Sequence, residues 1–283
     1  MAAFQSHLEH RRAALFVVAL TALLSVVTYP ALVAQSERQA AMTPAPLWLP
    51  VIHSRVPHDQ TAFTEGLTLV NGHLYESAGL TGQSSLRDED PASGAVLRRI
   101  PLAPKYFGEG IAVAGQRIVQ LTWTDQLAFI YDLNSFKTIG TFSYSGEGWG
   151  LCFDGQQFYM SNGSSAITVR DATTFAAVRT VPVTLDGQPV LQLNELECVG
   201  DSIYANVWLT QRIVRIDKHS GQVTARIEVP TTILTPAERQ GLGTDGVLNG
   251  IAYEPTRQQF LITGKLWPWL FWVTFTPTQY RYF

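Results

Sequence analysis

"EGLTLVNGHLYES", residues 65–77, is two short apolar runs joined by Asn71–Gly72. An Asn-Gly pair between β-prone segments is a strong local signal for a hairpin. The outline returns four times: "EGIAVAGQRIVQL" from Glu109, "WGLCFDGQQFYMS" from Trp149, "NELECVGDSIYAN" from Asn194 and "NGIAYEPTRQQFLIT" from Asn249. Successive starts lie 44, 40, 45 and 55 residues apart. Self-similarity at such a period marks a repeat architecture, in which each unit buries its apolar faces against its neighbours.

A second motif is interleaved with the first. "DPASGAV" at Asp90, "DLNSFKT" at Asp132, "DATTFAA" at Asp171 and "DKHSGQV" at Asp217 each sit among β-rich segments. An aspartate at the head of a turn bonds its own downstream backbone, so these four are turn formers and not chemistry. Two hairpins per period make a four-stranded blade, and five periods make an all-β, five-bladed β-propeller of antiparallel blades. The fifth period stops one strand short after "WLFWVTF". The segment "LWLPVIHSRV", residues 47–56, supplies the missing strand and closes the ring. An eight-stranded sandwich gives no reason for the period. Helix is confined to "TPAERQG", with Thr235 as N-cap, Pro236 in the first turn, Glu238 completing a capping box and Gly241 ending it.

Of the 283 residues 46% are hydrophobic and 15% charged, so most of the chain packs. The net charge is −3 and no Lys/Arg run exceeds two residues, which leaves no footprint for nucleic acid. Arg11 and Arg12 precede an apolar run from Ala13 to Val27, and "ALVAQSE" offers a small-residue cleavage point near Ala34. Residues 1–34 read as a signal peptide, or uncleaved as an N-terminal anchor over residues 13–29. Residues 35–47 are a tether, and 48–283 form one propeller domain. The protein is expected to be exported, periplasmic or secreted, and monomeric, with membrane contact only if the first segment is retained. Cys152 and Cys198 make no disulfide framework, and read as two buried apolar thiols in preference to a pair. No spacing among cysteines or histidines fits a metal site. "GLGTDG", residues 241–246, lies after a helix and before a strand, the reverse of a dinucleotide fingerprint.

In a propeller the first strand of each inner hairpin starts, and its partner ends, at one mouth of the channel. The starting positions are Glu65, Glu109, Trp149, Asn194 and Asn249; the ending positions are Gly79, Trp123, Gly163, Trp208 and Lys265. Turns chosen for solubility would not collect three tryptophans in register. Aromatic walls with a few polar groups point to a small-ligand pocket. Phe63 and Phe107, two residues before each glutamate, add to the wall, and the loop carrying the short helix contributes to the rim. A carboxylate beside aromatic rings holds and releases a proton near neutrality, while Lys265 opposes that shift. Asn and Lys donors suit an oxygen that gains negative charge. Alternatively, Glu65, Glu109, Asn194 and Asn249 could hold calcium in a lactonase-like hydrolase, although an ammonium in the ring repels a divalent cation. A non-catalytic propeller binding peptide N-termini would have the same pocket.

The strings "FTEGL", "YFGEG", "LNELE", "ANVW" and "TGKLWP", in this order and spacing, resemble the plant and bacterial type of glutaminyl cyclase over residues 51–275. The resemblance implies a five-bladed propeller that converts N-terminal glutamine of peptides or proteins to pyroglutamate with loss of ammonia, using no cofactor and no catalytic metal. It implies that Glu109 is the general acid/base, and that Asn194 and Lys265 hold and polarise the γ-amide oxygen. Trp123, Trp149 and Trp208, with Phe63 and Phe107, would box the forming ring. One position departs from the family pattern: Glu65 stands where glutamine is usual. Its expected role is to contact substrate or line the rim, and a carboxylate there couples to Glu109.

Overall fold

All five repeated segments form antiparallel hairpins. Their strands are Thr64–Val70 with His73–Ala78, Gly108–Ala114 with Arg117–Thr122, Leu151–Phe153 with Gln157–Met160, Leu193–Val199 with Ser202–Val207, and Leu248–Glu254 with Gln259–Gly264. The structure, a computed structural model, describes residues 44–278. The apolar run at Ala13–Val27, the cleavage point near Ala34 and most of the tether lie outside the described residues. Among those residues no helix is long and apolar enough to cross a membrane.

The first three hairpins each gain two outer strands and make four-stranded sheets. Of the remaining strands, Thr184–Leu185 pairs with Gln188–Pro189 in a small separate ribbon and eight form one sheet, with the N-terminal strand Leu47–Pro57 at the seam. That strand pairs antiparallel with Trp269–Pro277 along its length, as the missing-strand reading requires. It also makes a short parallel contact with Val223–Glu228, through Leu47 opposite Arg226 and Trp48 opposite Ile227, which the sequence did not suggest. Just beyond the strand, His58 anchors the chain inward: Nε2 lies 3.1 Å from Glu76 Oε1 and Nδ1 lies 2.9 Å from the Trp267 carbonyl.

Burial falls off from the inner strands to the outer ones. Thr64–Val70 is buried on both faces except at its last residue, whereas Val96–Pro101 and Thr138–Ser143 are mostly exposed. Inner strands therefore read as near-continuous apolar runs. Five apolar clusters lie between neighbouring groups of strands. Leu86 meets Ile111, Val119 meets Leu151, Ile167 meets Leu196, Ile213 meets Ile251, and Leu261 meets Leu67. The last cluster joins the final repeat to the first, so the packing closes into a cycle and the all-β architecture is propeller-like. Each fully buried Leu, Ile or Phe in these clusters contributes about 1.5–3 kcal/mol relative to exposure.

The repeated aspartates behave as turn formers. Asp132 Oδ1 accepts from the Ser135 amide at 2.8 Å and Asp217 Oδ1 from the Ser220 amide at 2.8 Å; Asp171 and Asp90 bond their own turns in the same way. The helix spans Pro236–Leu242 with Thr235 and Glu238 in a capping box. Its end differs from expectation. Gly241 lies inside it, and Gly243, at φ 65°, is the residue that stops it.

A second correction concerns the cysteines. Cys152 and Cys198 form a disulfide, with Cα atoms 5.5 Å apart. Each lies one residue before the last paired residue of its inner strand, Phe153 opposite Phe158 and Val199 opposite Ser202. Adjacent inner strands in matching register bring the two Cβ atoms within bridging range, a geometry the chain spacing alone does not reveal.

Candidate active site

Where four of the five inner hairpins open, the pairing register slips by one residue. The slips fall between Thr64 and Gly66, Gly108 and Ile111, Leu193 and Leu196, and Leu248 and Ile251. These are β-bulges, which bend a strand and re-aim the extra side chain. The residues placed in them include Glu65, Glu109, Asn194 and Asn249. A carboxylate recurs before an apolar strand because the bulge turns that position toward the mouth. The glycine that follows in three of the four repeats is the sequence trace of it.

The mouth holds a cavity of about 250 Å³ lined by Phe63, Glu65, Phe107, Glu109, Trp123, Trp149, Asn194, Trp208 and Lys265, with Leu209, Thr244, Asp245 and Val247 on the rim. All nine residues singled out from the sequence are therefore brought together. The four rim residues were missed individually; three follow the short helix, on the loop expected there. Asn249 does not line the cavity. Its amide donates to the Thr64 carbonyl at 2.9 Å and to Glu65 Oε2 at 3.3 Å, bracing the first repeat from the fifth.

Two glycines in the ring have steric reasons. A Cβ on Gly79 would press into the Phe107 ring, and one on Gly163 into the Trp149 indole. The rings themselves interlock edge to face. Phe63 meets Phe107 at 6.2 Å, Phe107 meets Trp123 at 5.7 Å, and Trp149 meets Trp208 at 5.5 Å between centroids. Such contacts orient the rings as well as bury them. Trp123 remains 41% exposed, so it forms the outer wall.

The charged groups divide unequally. Lys265 Nζ lies 2.7 Å from Glu65 Oε1 and 4.5 Å from the centre of the Phe63 ring. Burial pushes the Glu65 carboxyl up to about 7, with Lys265 holding it down. Glu109 is 6% exposed, and its buried Oε2 has no hydrogen-bond partner among the described residues. Burial, then the charge of Glu65, holds the Glu109 carboxyl well above the usual carboxylate range; Lys265 opposes them and Glu147 adds to them. Asn194 is buried with its Oδ1 likewise unpartnered. Unspent hydrogen-bonding capacity in a buried side chain is costly, and both of these side chains line the cavity. The oxygen set considered for calcium is not open at Glu65, whose two oxygens are taken by Lys265 and by the Asn249 amide.

Comparison with known proteins agrees with this geometry. Residues 23–275 match the family described as Glutamine cyclotransferase. The chain belongs to the glutamine cyclotransferase family. It is 37% identical over 220 residues to the glutaminyl-peptide cyclotransferase of Arabidopsis thaliana, covering 76% of this chain and 68% of that one. The solved structure of Myxococcus xanthus glutaminyl cyclase superposes with a TM-score of 0.77 at 37% identity, covering 83% of this chain and 99% of the other.

Proposed function

We propose that this glutamine cyclotransferase converts the N-terminal glutamine of peptides and proteins to pyroglutamate, with Glu109 carrying the proton. The observation that carries the reading is a buried carboxyl, one oxygen of which has no partner among the described residues, lining an aromatic-walled cavity sized for one small residue. The α-amino nitrogen of the substrate attacks its own γ-carboxamide carbon, forming the ring C–N bond. Glu109 takes the proton that this nitrogen sheds and returns it to the γ-amide nitrogen, whose bond to carbon breaks as ammonia leaves. The oxygen that gains negative charge between these steps is met by the Asn194 amide and by Lys265. Lys265 has three donors and spends one on Glu65. The tryptophan and phenylalanine rings hold the side chain folded back on its own nitrogen, which supplies the orientation an intramolecular attack needs.

The ring of packing clusters and the completed fifth group support reading the architecture as a five-bladed propeller. The Cys152–Cys198 disulfide supports an exported protein, since such bonds persist in oxidising compartments.

The test is ammonia release from a Gln-initiated dipeptide by the purified chain, with and without EDTA. Ammonia and a cyclised product are expected in both conditions. Retention of the dipeptide without turnover would overturn the reading in favour of a binding protein. Loss of turnover on chelation would overturn its proton chemistry.

A further inference from the structure

The turn "SGEGWG", residues 145–150, carries a carboxylate outside the ring register. Glu147 Oε2 accepts from the Trp123 indole N–H at 2.8 Å and from the Trp149 indole N–H at 2.9 Å. The two rings belong to adjoining repeats: Trp123 ends the second inner hairpin and Trp149 opens the third. They face the cavity as separate walls, and no edge-to-face contact joins them directly as it joins Trp149 to Trp208. One oxygen bridges that gap.

The turn is built to hold Glu147 there. The Gly148 amide donates to the Trp123 carbonyl at 2.9 Å, which ties the turn to the first tryptophan. A Cβ on Gly148 would collide with the Tyr144 hydroxyl, itself bonded to the Thr122 carbonyl. The residue next to Glu147 is thus fixed by a backbone hydrogen bond on one side and by the Tyr144 side chain on the other.

We propose that Glu147 is a positioning residue of this site: one carboxylate oxygen ties the two tryptophan walls together and sets the width of the slot between them. The inference rests on the proposed cyclisation, for which the distance between those walls decides how tightly the glutamine side chain is folded. A charged acceptor gives stronger hydrogen bonds than a neutral one, but water competes here because Glu147 is exposed. Its charge also bears on Glu109, which faces Glu65, Lys265, Glu147 and Tyr144.

Two variants separate alignment from charge. Glu147→Ala removes the acceptor, and kcat/KM is expected to fall about tenfold, mostly in kcat, which corresponds to about 1.4 kcal/mol. Near-UV circular dichroism of the indoles should weaken with it. Glu147→Gln keeps an oxygen that both indoles can reach, so it should recover activity to within about twofold of wild type. Having lost the charge that raises Glu109, it should move the acidic limb of the kcat/KM profile to lower pH. If the alanine variant does not fold, Glu147→Ser is read in its place, since its hydroxyl suits the turn but reaches neither ring. An alanine or serine variant with unchanged kcat/KM and indole signal, or a glutamine variant as impaired as alanine, would overturn the proposal. A wild-type chain that releases no ammonia would sink the cyclisation instead. The dichroism comparison would then still report whether Glu147 orders the rings.

Discussion

Reducing the Cys152–Cys198 bond should cost this protein much of its stability, and the size follows from its place in the chain. The two residues are 46 apart in sequence. Closing a loop of that length in the unfolded chain corresponds to about 4 kcal/mol at 25 °C in the chain-entropy treatment. For a domain of this size, 1 kcal/mol moves the melting temperature by roughly 2–4 °C, so a drop of about 8–16 °C is expected. Urea or thermal unfolding of the wild-type chain with and without dithiothreitol measures it directly. The comparison leaves every packing contact of Cys152 in place, unlike a substitution. Cys198 is only half-buried, so the reductant can reach the bond. The bond joins the inner strands that begin beside Trp149 and Asn194. Reduced protein should therefore lose turnover at a lower temperature than oxidised protein, while retaining it at 25 °C. Midpoints that agree to within about 0.5 kcal/mol would refute the loop-closure reasoning and remove the disulfide's support for an oxidising compartment.

Other outcomes follow from the same geometry. Glu109→Gln keeps the shape of the site but cannot carry a proton, and kcat should fall by about 10²–10⁴ with little change in melting temperature. Trp208→Ala removes the ring that meets Trp149 edge to face, and kcat/KM should fall by roughly tenfold, read with the same dipeptide assay. Glu195, wholly buried, accepts from the Leu67 amide at 3.2 Å and the Ile251 amide at 2.9 Å, linking the fourth repeat to the first and fifth. Glu195→Gln sets an NH₂ against one of those amides and should cost about 1–3 kcal/mol in urea unfolding. Burial raises the Glu65, Glu109, Glu195 and Glu197 carboxyls above their usual range, Glu65 to about 7. A carboxyl raised on folding lends stability below its unfolded value that is lost as pH rises through the folded one. Urea midpoints should therefore decline as pH rises from about 4.5 through about 7 and beyond, and a rising midpoint over that window would contradict the assignment.

The ring of site residues was legible because the repeat fixes register. Once Glu65 and Glu109 align, the position of Trp123, Asn194 or Lys265 follows from counting along a hairpin. What escaped is what does not repeat. Glu147 sits in a turn with no counterpart in the other four periods, and only its two indole contacts reveal it. Leu209 likewise enters through a loop outside the strands. The bulges were partly visible as Glu-Gly and Asn-Gly steps, but the fourth repeat has Glu195 where the others have glycine. Cys152 lies three residues after Trp149 and Cys198 four after Asn194, so the two occupy different positions in the repeat, and plain spacing concealed the disulfide.

Why two carboxylates share one pocket can be argued from their partners. Lys265 is a single cation, and it is committed to Glu65 at 2.7 Å. The pair leaves Glu109 with no opposite charge of its own and with the field of Glu65 against it. Two carboxyls near one ammonium cannot both ionise cheaply, so Glu65 ionises first and Glu109 becomes available as the base only at higher pH. Glutamine at position 65, the pattern the family resemblance led us to expect, would change that allocation. Glu65→Gln removes the charge that raises Glu109 and releases Lys265 toward the substrate oxygen. It also leaves a buried ammonium that already acts on Glu109 and is no longer shared with Glu65, which drives Glu109 further toward ionisation. Both effects have the same sign. The acidic limb of kcat/KM should move to lower pH, and stability should become less sensitive to pH near 7, where Glu65 itself no longer titrates. A limb that stays in place or moves upward would mean that Glu109 does not sense Glu65, and the division of labour between the two would have to be abandoned.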